Sequence, residues 1–187
     1  MKSEFDRSAA NAGRRRVLLG LGAIGAALAI PQQAYAAINP EPRNLRFYNL
    51  HTDESLDVTY WESGRYVNDA LASVNNLMRD FRSGEVYPMD KRLLDFLHLV
   101  RTDVASDGVF EIISGYRSPK TNAKLRAKGR GVAKRSFHMK GMAIDVRLRG
   151  TRLSALRSVA TGLQRGGVGY YQKSNFIHLD VGRARTW

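Results

Sequence analysis

Two short segments of this chain alternate apolar and polar residues with a period of two, and both carry histidine or aspartate on the polar side. In the first, Met142, Ile144, Val146 and Leu148 fall on one face of an extended chain, while Ala143, Asp145 and Arg147 fall on the other. In the second, Ile177, Leu179 and Val181 form the apolar face, and Phe176, His178 and Asp180 the opposite one. This period specifies strand rather than helix. Asp145 is therefore expected on a half-buried strand, pointing away from its apolar face. His138 lies in the loop that feeds the strand, and Gly141 gives that loop freedom to fold the imidazole back over the carboxylate.

If the two strands pair, His138, Asp145 and His178 converge. Two neutral imidazoles, one carboxylate and an open fourth position have the make-up of a catalytic zinc site. The spacing of His138 and Asp145 is weak on its own, because such residues also serve as plain hydrogen-bonding partners at strand ends.

The remaining patterns give the frame. Residues 45–50 and 56–61 are expected strands joined by the turn-forming His51-Thr52-Asp53-Glu54. Val67, Leu71, Val74, Leu77, Met78 and Phe81 recur at helical spacing as a core stripe that Ser83-Gly84 closes. Asp90 is placed as the N-cap of a second helix burying Leu93, Leu94, Leu97, Val100 and Val104. A strand over residues 109–114 runs into Gly115-Tyr116-Arg117-Ser118-Pro119, and a polar cluster at the end of a buried strand is a common place for ligand contact. Leu153, Leu156, Val159, Ala160 and Leu163 define a third helix that Thr151 caps. A glycine-rich strand from Gly166 to Tyr171 then turns through Gln172-Lys173-Ser174-Asn175 into the His178 strand. The expected fold class is α+β: an antiparallel sheet carrying the metal site, packed by helices. His51 reads as turn chemistry and His98 as a packing or surface position.

At 187 residues, with 43% hydrophobic and 25% charged, the chain has room for one domain with a real core. It has no cysteine, which excludes disulfides, thiolate ligands and a cysteine nucleophile. Residues 1–36 read as an export signal. Arg14, Arg15 and Arg16 precede an apolar run to Ile30 that is too short to span a bilayer, and Ala34-Tyr35-Ala36 is a small-x-small cleavage site. This leader resembles a twin-arginine signal, which places the mature domain, residues 37–187, in the periplasm or another extracytoplasmic space. Nothing else could form a stable membrane span. Net charge is +13 overall and +10 beyond the leader, which suits an anionic partner. Six basic residues crowd residues 120–134, but no aromatic falls between Tyr116 and Phe137, so stacking of nucleic-acid bases is not expected. A monomer is expected.

Ser136, His138, Gly141, Ala143 and Asp145 at their spacing resemble the zinc D-Ala-D-Ala peptidase family, the M15 peptidases, as do the later His178, Ser114-Gly115-Tyr116-Arg117-Ser118 and the closing Gly182, Arg183, Arg185 and Trp187. The resemblance is greatest to the murein endopeptidase K-like branch. It implies zinc-dependent hydrolysis of peptide cross-links, with peptidoglycan stem peptides as partners and His138, Asp145 and His178 as metal ligands. It also implies that Arg117 faces the substrate. Asn175 and Phe176 stand where some relatives carry a glutamate or a histidine. The candidate general base is therefore Asp180, on the same face as His178; its other possible role is to orient His178. A carboxypeptidase or dipeptidase of the same fold, or a non-catalytic zinc-bearing wall-binding module, are the alternatives.

Overall fold

The inward positions of the central strands are apolar and almost fully buried: Leu45, Phe47, Phe110, Ile112, Ile144, Val146, Ile177 and Leu179. The computed structural model describes residues 41–129 and 131–187; the expected export signal lies outside the described residues. Strands β1 (Arg43–Asn49) and β2 (Ser55–Glu62) form an antiparallel hairpin, and the short β3 (Arg65–Tyr66) extends its edge. Helices α1 (Asn68–Leu77) and α2 (Lys91–Asp103) follow, then β4 (Phe110–Ser114) and α3 (Pro119–Ala127). A 3-10 turn (Phe137–Lys140) leads into β5 (Ala143–Leu148), α4 (Leu153–Gly162) and β6 (Gly167–Tyr171). A second 3-10 turn (Gln172–Ser174), β7 (Phe176–Asp180) and the two-residue β8 (Arg185–Thr186) complete the order.

The strands make one sheet in the order β3-β2-β1-β4-β5-β7-β6-β8. The α+β class is as expected, but the sheet is mixed rather than purely antiparallel: β1 runs parallel to β4, and β6 parallel to β8. The first parallel pair follows from its connection. The chain passes through β2, β3, α1 and α2 before β4, and a crossover of that length permits a parallel return.

Helices α1, α2 and α4 contribute to the apolar core against the sheet. Helix α2 buries Leu93, Leu94, Phe96, Leu97 and Val100, each of which stabilises the fold by roughly 1.5–3 kcal/mol. Asp90 caps it as expected, accepting from the Arg92 backbone N–H at 3.0 Å. Two local expectations are corrected. The stripe from Val67 to Phe81 is not one helix: α1 ends at Leu77, because the Asp80 side chain organises the next turn by accepting from the Arg82 and Ser118 backbone N–H groups, both at 3.0 Å. Thr151 does not cap α4, which begins after Arg152 without a side-chain cap bond.

Candidate metal centre

Strands β5 and β7 pair antiparallel with Asp145 directly opposite His178 and Ala143 opposite Asp180. The period-two pattern of each strand therefore brings the carboxylate and the imidazole onto one face. His138 arrives from the 3-10 turn. Ser136 caps that turn by accepting from the His138 backbone N–H at 3.3 Å, and Gly141 closes it in the left-handed region at φ 63°. A side chain at Gly141 would collide with the Pro88 carbonyl, so the position is glycine on two counts. This turn covers the polar face of β5. Asp145 is consequently buried, at 8% exposure, rather than half-buried as its alternation implied.

Hydrogen-bond partners behind the imidazoles fix their tautomers. His138 Nδ1 lies 2.7 Å from the Gly115 carbonyl oxygen, which only accepts, so Nδ1 carries the proton and Nε2 presents a lone pair. His178 Nε2 donates to Asp180 Oδ2 at 3.1 Å, which in the neutral imidazole leaves Nδ1 free to bind a metal. These two nitrogens stand 3.2 Å apart, and Asp145 Oδ1 lies 3.3 Å from the first and 2.8 Å from the second. With both imidazoles neutral, three acceptor atoms thus face one another. Their mutual repulsion is relieved by a cation, and a His₂Asp donor set fits a metal ion such as zinc.

The electrostatics agree. Burial pushes the Asp145 carboxyl up, but the His138 and His178 imidazoles outweigh it and hold the group well below the usual carboxylate range. Burial pulls the His178 imidazole down, yet its bonds to Asp145 and Asp180 prevail and raise it. Asp145 is thus held negative, and that charge is balanced by a proton on His178 Nδ1 or by a cation that takes the proton's place.

Asp180 lies behind His178 with 0% exposure. Its Oδ2 accepts from His178 and from Arg185 Nη2 at 2.6 Å. Its Oδ1 accepts from the Gly182 N–H at 2.9 Å, from Arg185 Nη1 at 3.0 Å and from the Gly167 N–H at 3.3 Å. Burial opposes the ionised form, but His178 and Arg185 hold the carboxyl well below its usual range. Arg117 sits on the other side, with Nη2 3.3 Å from Ser114 Oγ and 3.8 Å from Asp145 Oδ2. Burial lowers its pKa, Asp145 partly restores it, and its buried Nε has no partner among the described residues.

The three converging residues form part of a cleft of about 470 Å³ whose walls include Arg117, Arg135, Phe137, Tyr171, Arg185 and Trp187. Asp145 is the only carboxylate among its described lining residues. Glu54 pairs with Arg79, and Asp57 with Arg46, on the N-terminal hairpin and outside this lining. His51 stacks on Phe81, and His98 packs edge-on to Tyr60, so neither joins the centre.

One part of the site carried no assigned role in the sequence. Strand β6 places Gly169 opposite His178 and Gly167 opposite Asp180. A side chain at Gly169 would come within 2.7 Å of the Trp187 ring, and one at Gly167 would collide with Arg185 and Asp180. Trp187, in turn, lies 5.3 Å from the His178 ring and donates from Nε1 to the Tyr171 hydroxyl at 3.0 Å. The alternate glycines clear the space that Arg185 and Trp187 fill. A pair of glycines on one face of a strand was the available signal for such a close approach.

Comparison with known proteins agrees with this geometry. A family model described as "Peptidoglycan L,D-endopeptidase MepK" matches residues 37–187. The Escherichia coli K12 protein of that name is 43% identical over 176 residues, covering 92% of this chain and 96% of the relative. The Haemophilus influenzae protein named "Probable peptidoglycan L,D-endopeptidase MepK" is 41% identical over 176 residues, covering 92% and 95%. No solved structure matches significantly. The chain belongs to the MepK family of M15-type metallopeptidases.

Proposed function

We propose that the chain hydrolyses L,D peptide bonds in peptidoglycan cross-links with one zinc ion held by His138, Asp145 and His178. The observation that carries this reading is the convergence of three metal-ligating side chains at a cleft, in a chain whose relatives are named for that activity. When bound, zinc supplies Lewis-acid polarisation of a peptide carbonyl and acidification of a water molecule.

The chain's own residues do the rest. Arg117 lines the cleft with an unpartnered Nε–H, so it has donor capacity for the carbonyl oxygen as negative charge develops there, or for a substrate carboxylate. Arg117 and Arg135 give the cleft a cationic wall that suits the carboxylates of stem peptides. Asp180 serves to orient His178 rather than to act as general base. It is fully buried behind the imidazole, and both its oxygens are occupied. The relatives' names favour an endopeptidase over a carboxypeptidase or a non-catalytic wall-binding module. The direct test is to incubate the zinc-loaded protein with purified cross-linked muropeptide dimers and analyse the products by mass. Monomers released by cleavage at an L,D bond are expected, and intact dimers would overturn the reading.

For residues 1–36 the reading is a cleaved twin-arginine signal that delivers the domain to an extracytoplasmic space. The family match beginning at residue 37, directly after Ala34-Tyr35-Ala36, supports it. Changing Arg14 and Arg15 to lysine is expected to block translocation. Normal export in a strain lacking the twin-arginine translocase would refute the route.

A further inference from the structure

Helix α3 carries Lys120 and Lys124, and Lys128 follows as its C-cap, at successive four-residue steps. All three ammonium groups therefore leave the same face, and all three residues are exposed. Together with Arg82 and Ser83 from the turn after α1, they line a concavity of about 320 Å³. No carboxylate lines it, and among the described residues none of the three lysines has an ion-pair partner. The neighbouring Asp80 is turned inward at 1% exposure, its oxygens taken by backbone N–H groups.

Such an arrangement is unfavourable for the helix alone. Like charges one turn apart repel, and α3 buries only Thr121 and Asn122, so no apolar stripe offsets the repulsion. The lysine face follows in the chain from the metal cleft: α3 starts two residues after Arg117, which lines that cleft.

We propose that this lysine face is a docking surface for the peptidoglycan network, holding carboxylates of stem peptides adjacent to the one being cut. The inference rests on the peptidoglycan reading above. Its chemistry is charge complementarity: mobile ammonium groups meet repeated carboxylates on a polymer, and each weak, salt-screened contact adds to the others by raising the effective concentration of substrate at the cleft. A short soluble substrate, which ends before it reaches α3, gains nothing from this face.

The experiment compares the native protein with a triple variant, Lys120→Gln, Lys124→Gln and Lys128→Gln, which keeps good helix formers at each position. Co-sedimentation with purified sacculi over a salt series measures docking. Hydrolysis of soluble muropeptide dimers measures the cleft. The triple variant is expected to bind sacculi about tenfold more weakly with a flatter salt dependence, the scale of three exposed contacts combined, while cutting dimers at the native rate. The matching triple substitution to arginine is expected to retain binding. Native sedimentation of the glutamine variant overturns the inference, as does equal loss of dimer hydrolysis or failure of the arginine variant to bind. Loss of binding to phosphatidylglycerol vesicles with unchanged binding to sacculi overturns it too, because the surface then serves a membrane. Sedimentation does not depend on turnover, so a native protein that binds sacculi yet leaves dimers intact contradicts the peptidase reading and not the docking surface.

Discussion

Replacing Asp180 by asparagine keeps the shape of the side chain and removes its charge, and the structure sets the size of the effect. The carboxylate accepts five hydrogen bonds, from Gly167, Gly182, His178 and both Arg185 terminal nitrogens. An amide has one oxygen. If that oxygen faces His178 and Arg185 Nη2, the NH₂ group confronts three donors; turned round, it confronts two, one of them the His178 Nε2–H. Either way the imidazole loses its anionic partner, and the tautomer that leaves Nδ1 proton-free is no longer enforced. Losing an outer partner of a metal-ligating histidine lowers affinity by about ten- to hundredfold. The broken contact to Arg185, which stays partly exposed, adds about 2–4 kcal/mol of destabilisation. Zinc affinity is read by competition with a chromophoric chelator, stability by urea unfolding, and turnover on muropeptide dimers, all on one preparation. Native zinc affinity combined with a hundredfold fall in turnover would refute the orienting role and restore Asp180 as the general base.

Single substitutions His138→Ala, Asp145→Ala and His178→Ala are each expected to abolish high-affinity zinc binding; stoichiometric zinc by elemental analysis in all three would rule the site out. Gly169→Val places a side chain where the Trp187 ring sits, within 2.7 Å at its first carbon, and is expected to destabilise by about 1–3 kcal/mol with a change in tryptophan fluorescence. An unchanged emission spectrum would show that Trp187 does not occupy that space. Asp80 has its pKa lowered to about 2: burial would raise it, but bonds from Thr121, Ser118 and Arg82 prevail. Its contribution of about 1–2 kcal/mol is therefore present above its unfolded pKa, near pH 4, and lost as pH falls toward 2. Urea titrations of Asp80→Asn are expected to lose that part of the acid dependence, and a profile parallel to the native one would contradict it.

What was legible in the sequence follows the physics of each element. Alternation alone fixed the faces of β5 and β7, and once those strands pair, Asp145 meets His178 without further information. Asp90 was legible because a cap is a local bond. The end of α1 was not: Met78 is buried and Phe81 stacks on His51, so apolar spacing continues past the last helical residue for tertiary reasons. Strand β8 spans two residues, too few for any period to register, and its parallel pairing with β6 depends on the glycines opposite. The orienting environment of Asp180 was equally hidden, since Arg185 reaches it only in the folded sheet.

The three converging side chains are not anchored alike. Strands β5 and β7 are interior to the sheet, each paired on both sides, so Asp145 and His178 move only when the core ladder opens. His138 hangs on a four-residue turn held by a few hydrogen bonds, among them Arg117 N–H to its carbonyl at 3.2 Å and Asp90 N–H to the Gly141 carbonyl at 2.8 Å. Opening this turn costs far less than opening the sheet. Ion exchange at the centre accordingly has a hinge side and a fixed side. Chelator extraction should proceed at the rate of a local opening, with little dependence on denaturant, long before the domain unfolds.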